Sequence, residues 1–120
     1  MVFSFAQKPF DPSLEDEMFE MANLRPESTG LPFIVWISPG LNSQHDIRVK
    51  VSRTPRPGPN MTSVALRPEV EVTDGPPLTR DELRLLHRWA DLNWKPLIDF
   101  WEGRIEYTED VMAQLRRLDG

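Results

Sequence analysis

The stretch HRWADLNWKPLIDFW, residues 87–101, holds three of the four tryptophans of the chain and a proline near its middle. On a helical wheel of about 100° per residue, polar side chains over residues 80–102 keep the same phase on both sides of Pro96. This continuity predicts one long C-terminal helix, kinked at Pro96 because proline removes a helical hydrogen bond and crowds the preceding turn. Two separate helices are the alternative. Thr79 and Glu82 have the spacing of a capping box that would begin the helix.

The apolar side of this predicted helix spans about 200°, more than a single packing seam requires. Trp89 and Phe100 lie on one flank of it. The N-terminal arm contributes Phe3 and Phe5, which need either the body of the protein or a partner to cover them. We therefore expect these four aromatic residues to form a partner-binding surface.

Three segments upstream are typical of strands. LPFIVWIS (31–38) is apolar at consecutive positions, as in a strand covered on both sides. HDIRVKVS (45–52) alternates between apolar and charged residues. In residues 61–74 the valine and leucine side chains are all at even positions, both before and after Pro68. This favours one long strand that passes through Pro68 at an edge or bulge over two short strands.

These patterns predict an α+β fold: a small antiparallel sheet of three or four strands, packed by the long kinked helix on one face. Ser13 and Thr108 are positioned to begin short N- and C-terminal helices. We expect an N-terminal arm over residues 1–12 and a single α+β domain over residues 13–120.

Composition narrows the function classes. The chain has 120 residues, no cysteine and a net charge of −5, so it has no disulfide or thiolate chemistry and little general affinity for nucleic acid. No apolar stretch approaches the roughly 20 residues of a membrane span, and no basic leader followed by an apolar run begins the chain. We expect a cytoplasmic protein that does not enter a membrane.

The charge is unevenly distributed, and the middle of the chain is basic. Residues 31–68 carry five basic side chains against Asp46 alone. Arg48, Lys50, Arg53 and Arg56 are the candidate anion-binding residues of an alternative RNA- or nucleotide-binding function. They lack interleaved aromatic residues for base stacking, and Glu69 and Glu71 would neutralise Arg48 and Lys50 if their strands paired.

Candidates for catalysis are few. His45 and Asp46 are adjacent, but neighbours along a strand point to opposite faces and do not readily share a proton. His87 is expected to be a packed or half-exposed helix residue. Asn93 would either lie in a tryptophan-lined ligand pocket or satisfy the Leu92 carbonyl that loses its donor to Pro96; the second interpretation is favoured. The sequence indicates no metal site or cofactor and favours a non-enzymatic protein.

Trp89, Asn93, Leu97 and Trp101 are spaced four apart, following strands and a glycine-containing turn. This arrangement, over roughly residues 31–104, resembles small bacterial families described as domains of unknown function. Some such families lie near toxin–antitoxin-like genes, so the resemblance implies a protein or RNA partner and no particular activity. Together with the composition, it favours an interaction module that binds itself or another protein.

Overall fold

A computed structural model of the chain describes residues 21–40, 45–56, 58 and 60–119. The predicted arm (1–12), with Phe3 and Phe5, lies outside these ranges, as does most of the helix expected after Ser13. Within the described residues the elements are β1 (Ala22–Leu24), α1 (Pro26–Thr29), β2 (Ile34–Ile37), β3 (Arg48–Ser52), β4 (Thr62–Ala65), β5 (Glu71–Asp74), α2 (Arg80–Leu92), α3 (Trp94–Trp101) and α4 (Thr108–Gln114). The predicted α+β class is confirmed. None of these described helices is long and apolar enough to cross a membrane.

The described strands form one antiparallel sheet in which each strand pairs with its neighbour in the chain, in the order β1-β2-β3-β4-β5. Val35 of β2 lies opposite Val51 of β3, and Val49 lies opposite Val64 of β4. All four residues of β2 are buried, as predicted for a strand covered on both sides. The sheet therefore has five strands where three or four were predicted.

The additional strands arise at the two ends of the sheet. At one end, residues 22–24 lie before the segments predicted as strands and form edge strand β1. Residues 61–74 form the hairpin β4–β5 and not the predicted single strand, and the connection contains the cis peptide bond Arg67-Pro68. Val64 and Val72 are both at even positions because they are opposite each other in the β4–β5 pair and lie on the same face of the sheet.

One face of the sheet, here called the first face, carries the helices. Its side chains belong to the same buried cluster as those of α2, α3 and α4; the members from the sheet include Val35, Ile37, Val49, Val51 and Val64, and those from the helices include Leu86, Trp89, Leu97, Phe100 and Val111. Burial of this apolar surface is the main stabilising contribution to the fold.

The predicted long helix is interrupted. Asn93, with φ −113° and ψ 19°, separates α2 from α3. Pro96 is the third residue of α3, where its missing N–H costs little because the first turn of a helix has no internal acceptors for its donors. The prediction of one helix kinked at Pro96 is thus not confirmed, since the break lies three residues earlier.

The predicted capping box at the start of α2 is present. Glu82 donates its backbone N–H to the Thr79 hydroxyl at 3.1 Å and accepts the Thr79 N–H at 2.9 Å. The Arg53 guanidinium also pairs with the Glu82 carboxylate through two hydrogen bonds of 2.6 and 2.9 Å. The Arg53 hydrogen bonds and the Thr79 N–H together lower the pKa of Glu82 to about 2.

This pair gives the fold an acid-sensitive component. In the folded protein the pKa of Glu82 is below its ordinary value of 4.5. The stabilisation that the ionised Glu82 gives to the fold is therefore fully present above pH 4.5 and is lost as the pH falls towards 2. Glu82→Gln keeps an acceptor for Thr79 and removes the ion pair, so we expect a loss of about 0.5–1 kcal/mol at neutral pH. Urea unfolding should show that this difference from wild type disappears near pH 2. An equal difference at both pH values would contradict the assignment.

Candidate partner-binding groove

The structure corrects the predicted role of two aromatic residues. Trp89 is 0% exposed and Phe100 is 2% exposed, and both lie in the cluster between the helices and the first face. These rings are thus core residues, enclosed by the chain itself, and offer no surface to a partner. Phe3 and Phe5 are not among the described residues.

The four candidate anion-binding residues lie on strand β3 and in the loop that follows it. Arg48 and Lys50 share the face of β3 opposite the first face. Arg53 turns towards Glu82 and lies over the Phe33 ring, 5.7 Å from its centroid. Arg56 is exposed in the loop that follows β3. Within this set, Arg53 is thus neutralised by Glu82 at the start of α2.

The remaining candidates for catalysis are exposed on the surface. Asp46 accepts hydrogen bonds of 2.5 and 2.7 Å from Arg67, which lower its pKa. His87 lies 3.4 Å from Asp91, and both side chains are exposed. His45 is exposed and has an interaction of its own. The described partner of Asp46 is thus the Arg67 guanidinium.

The buried carboxylate of Asp99 is bound by two basic side chains and contributes to the fold. Lys95 and Arg104 donate hydrogen bonds to it at 2.8 and 2.7 Å, and these lower its pKa. Its backbone carbonyl accepts the N–H groups of Arg104 and Ile105, which closes the turn after α3. In the part of the chain that the structure describes, no three histidine or acidic side chains are grouped so as to hold a metal ion.

Asn93 is a structural clamp and not part of a ligand pocket. Its side chain is 1% exposed. The Asn93 amide nitrogen donates to the carbonyls of Trp89 and Arg116, each at 3.0 Å, and its oxygen accepts the Arg116 N–H at 2.6 Å. Asn93 therefore has a structural role, as favoured from the sequence, but its side chain bonds to Trp89 and Arg116 and not to the Leu92 carbonyl. The clamp fixes the segment after α4, residues 115–119, here called the C-terminal tail, against the α2–α3 junction.

Further contacts attach this tail to α1. The Leu118 N–H donates to the Thr29 carbonyl at 2.7 Å, and the Arg117 guanidinium donates to the Glu27 carbonyl at 3.2 Å. Gly30, at φ 80°, approaches so closely that a Cβ there would lie 2.2 Å from the Leu118 carbonyl oxygen. This position therefore requires glycine for both its backbone conformation and its space.

An open groove of about 750 Å³ runs between the last turns of α2 and the C-terminal tail; it is lined by Arg88, Asp91, Leu92, Arg116, Arg117, Leu118 and Asp119. Leu92 is 44% exposed and belongs to the few large apolar side chains that remain accessible among the described residues. Three guanidinium groups and two carboxylates surround it, so the lining carries a net charge of +1 on a chain whose total is −5.

Within the described chain, no ion pair is formed by Arg88 or by the guanidinium of Arg116, whereas Asp91 faces His87 and Asp119 lies 3.9 Å from Arg117. The lining therefore combines an accessible leucine with two guanidinium groups, those of Arg88 and Arg116, that have no counter-ion among the described residues. Sequence reasoning missed it because it depends on the Asn93–Arg116 contact, which joins positions 23 residues apart.

Comparison of the chain with protein-family models, with curated proteins and with solved structures finds no match. The four positions that carry the family resemblance are all buried: Trp89, Leu97 and Trp101 in the hydrophobic core, and Asn93 in the clamp. Their spacing is thus accounted for by packing within this chain.

Proposed function

We propose that the protein is a non-enzymatic interaction module that binds an acidic, amphipathic segment of another protein in the groove between α2 and the C-terminal tail. The observation that carries this proposal is the exposed Leu92 between Arg88 and Arg116. An apolar anchor surrounded by charged groups is the usual arrangement of a binding surface for a short segment.

The charges favour an acidic partner. A carboxylate-bearing segment would compensate Arg88 and Arg116, and apolar residues spaced along it would cover Leu92. Rim charges act mainly on the rate of association and on its dependence on salt. Binding is therefore expected to weaken as the ionic strength rises.

The ionisable groups of the described residues favour a binding module over an enzyme. The lowered pKa values of Asp46, Glu82 and Asp99 are caused mainly by arginine or lysine partners that hold these groups ionised. A general acid or base instead needs a pKa near the working pH. These carboxylates stabilise the fold and supply no such group.

The proposal predicts a binding defect that is confined to the groove. A fluorescein-labelled peptide of alternating leucine and glutamate is titrated by anisotropy against wild type and the double variant Arg88→Ala, Arg116→Ala. We expect the affinity to fall about tenfold, a loss of about 1.4 kcal/mol. Leu92→Ser should also weaken binding, because it removes the apolar anchor.

Arg56→Ala is the matched control, since it removes an exposed arginine outside the groove and should leave the affinity unchanged. Equal affinity of wild type and the groove double variant would overturn the proposal. An oligouridylate RNA that binds wild type and is lost in Arg56→Ala would instead favour the nucleic-acid function of the basic strand and loop. Sedimentation without peptide measures self-association in the same samples.

A further inference from the structure

The second face of the sheet, opposite the helices, is defined by Asn23, Ile34, Trp36, Arg48, Lys50, Ser52, Ser63 and Ala65. Cross-strand pairing aligns Trp36 with Asn23 on one side and with Lys50 on the other. Lys50 is aligned with Ser63, and Arg48 with Ala65. A tryptophan and an isoleucine thus lie near two cations on one surface.

The centre of this face is buried although the described helices are on the other side. Ile34 is 8% exposed and Trp36 is 6% exposed, yet neither belongs to the cluster formed by the first face and the helices. Ser52 and Ser63 are buried as well, and the Trp36 indole N–H donates to the Ser52 hydroxyl at 2.7 Å. An antiparallel sheet with one uncovered face leaves that face accessible to solvent. A further layer must therefore cover it.

The chain itself contains a segment of suitable length and entry point. Residues 1–20 lead into β1, an edge strand whose Asn23 lies on the second face. Fully extended, 20 residues reach about 66 Å, whereas five strands span only about 19 Å. The segment can therefore cross the whole face and return. Residues 41–44, LNSQ, are too few and too polar to do so.

The composition of residues 1–20 matches the second face. The segment contains four phenylalanines, and it carries five acidic side chains against Lys8 alone. Arg48 and Lys50 supply the opposite charge, and the buried Nε–H of Arg48 has no acceptor among the described residues. Aromatic side chains suit Ile34 and Trp36, and a carboxylate or carbonyl suits Arg48.

We infer that the second face is the docking site for residues 1–20 of the same chain. Phe3 and Phe5 then serve the protein's own fold, as a covering layer over Trp36, and not a partner-binding surface. This inference is independent of the groove, which lies at the α2–α3 junction.

The absence of cysteine allows a direct test in the 120-residue chain. A nitroxide spin label is attached at Ser4→Cys, and broadening of backbone amide signals is recorded on the ¹⁵N-labelled chain. We expect loss of intensity for Ile34, Trp36 and Lys50, and little change for the groove residues Leu92 and Leu118. A label at Met112→Cys, on the exposed side of α4, is the matched control and should spare the second face.

Two further samples separate the competing occupants. The first sample mixes chains that carry the spin label but no ¹⁵N with chains that carry ¹⁵N but no spin label. Docking within one chain predicts that the second face is not broadened in this mixture. Broadening in that mixture would show that a second copy is the occupant and would overturn the inference. In the Ser4→Cys chain, the added changes Phe3→Ser and Phe5→Ser should restore the lost intensities. An unbroadened second face in the original sample would also overturn it.

Discussion

Trp89→Ala is expected to destabilise the protein by about 3–5 kcal/mol, which approaches the whole stability of a typical small domain. The Trp89 side chain is fully buried between α2 and the first face, so its removal leaves a cavity that the sheet cannot close. Urea unfolding followed by circular dichroism measures the loss. If Trp89 were instead a partner-binding residue, the substitution would leave the stability of the isolated chain nearly unchanged.

Two matched variants make this result specific. The Trp89 indole N–H is buried and has no acceptor among the described residues. Trp89→Phe therefore removes no hydrogen bond, and we expect it to cost clearly less than Trp89→Ala. Tyr107→Ala removes an aromatic ring that is 64% exposed and should change stability by no more than about 0.5 kcal/mol. Similar losses for Trp89→Ala and Tyr107→Ala would contradict the described core.

Asn93→Ala is expected to cost about 2–4 kcal/mol. The substitution removes three hydrogen bonds at a buried position and leaves the N–H and carbonyl of Arg116 without their partner. The backbone hydrogen bonds at the α2–α3 junction, from the Asn93 N–H to Trp89 and from the Leu97 N–H to the Asn93 carbonyl, do not involve the side chain and should persist. The main consequence should be detachment of the C-terminal tail.

Hydrogen exchange distinguishes this local effect from general destabilisation. In Asn93→Ala, the Arg116 and Leu118 amides should lose protection, while the Val35 and Val49 amides in the sheet remain the slowest to exchange. Leu92→Ala is the control, since it changes the adjacent, partly exposed residue without touching the clamp. Unchanged protection of Arg116 in Asn93→Ala would contradict the clamp. Because the tail forms one wall of the groove, the same variant should also weaken peptide binding.

Local patterns predict those parts of the fold that depend on local physics. The alternation in residues 45–52, the continuous apolar run in β2 and the Thr79–Glu82 box all involve neighbours in the sequence, and each is found as expected. The shared parity of Val64 and Val72 was misleading because a hairpin and one continuous strand both place alternate residues on the same face.

The site depends on contacts that sequence patterns do not show. The wheel for residues 80–102 correctly found a wide apolar side, but its width reflects coverage by a five-stranded sheet and not a missing partner. The polar side chains before and after Pro96 recur at the same angle of the wheel, although the helix is interrupted at Asn93. The groove arises where the tail returns to this interruption, and only the three-dimensional fold brings Arg88 and Arg116 to the same surface.

The most direct test of the proposed function is to map the binding surface itself. The ¹⁵N-labelled protein is titrated with the leucine–glutamate peptide, and the backbone amide shifts are followed residue by residue. The groove proposal predicts that the largest changes occur at Leu92 and at residues 116–119, with little change at residues 48–56. Shifts concentrated at residues 48–56, or no saturable shifts at low salt, would contradict it.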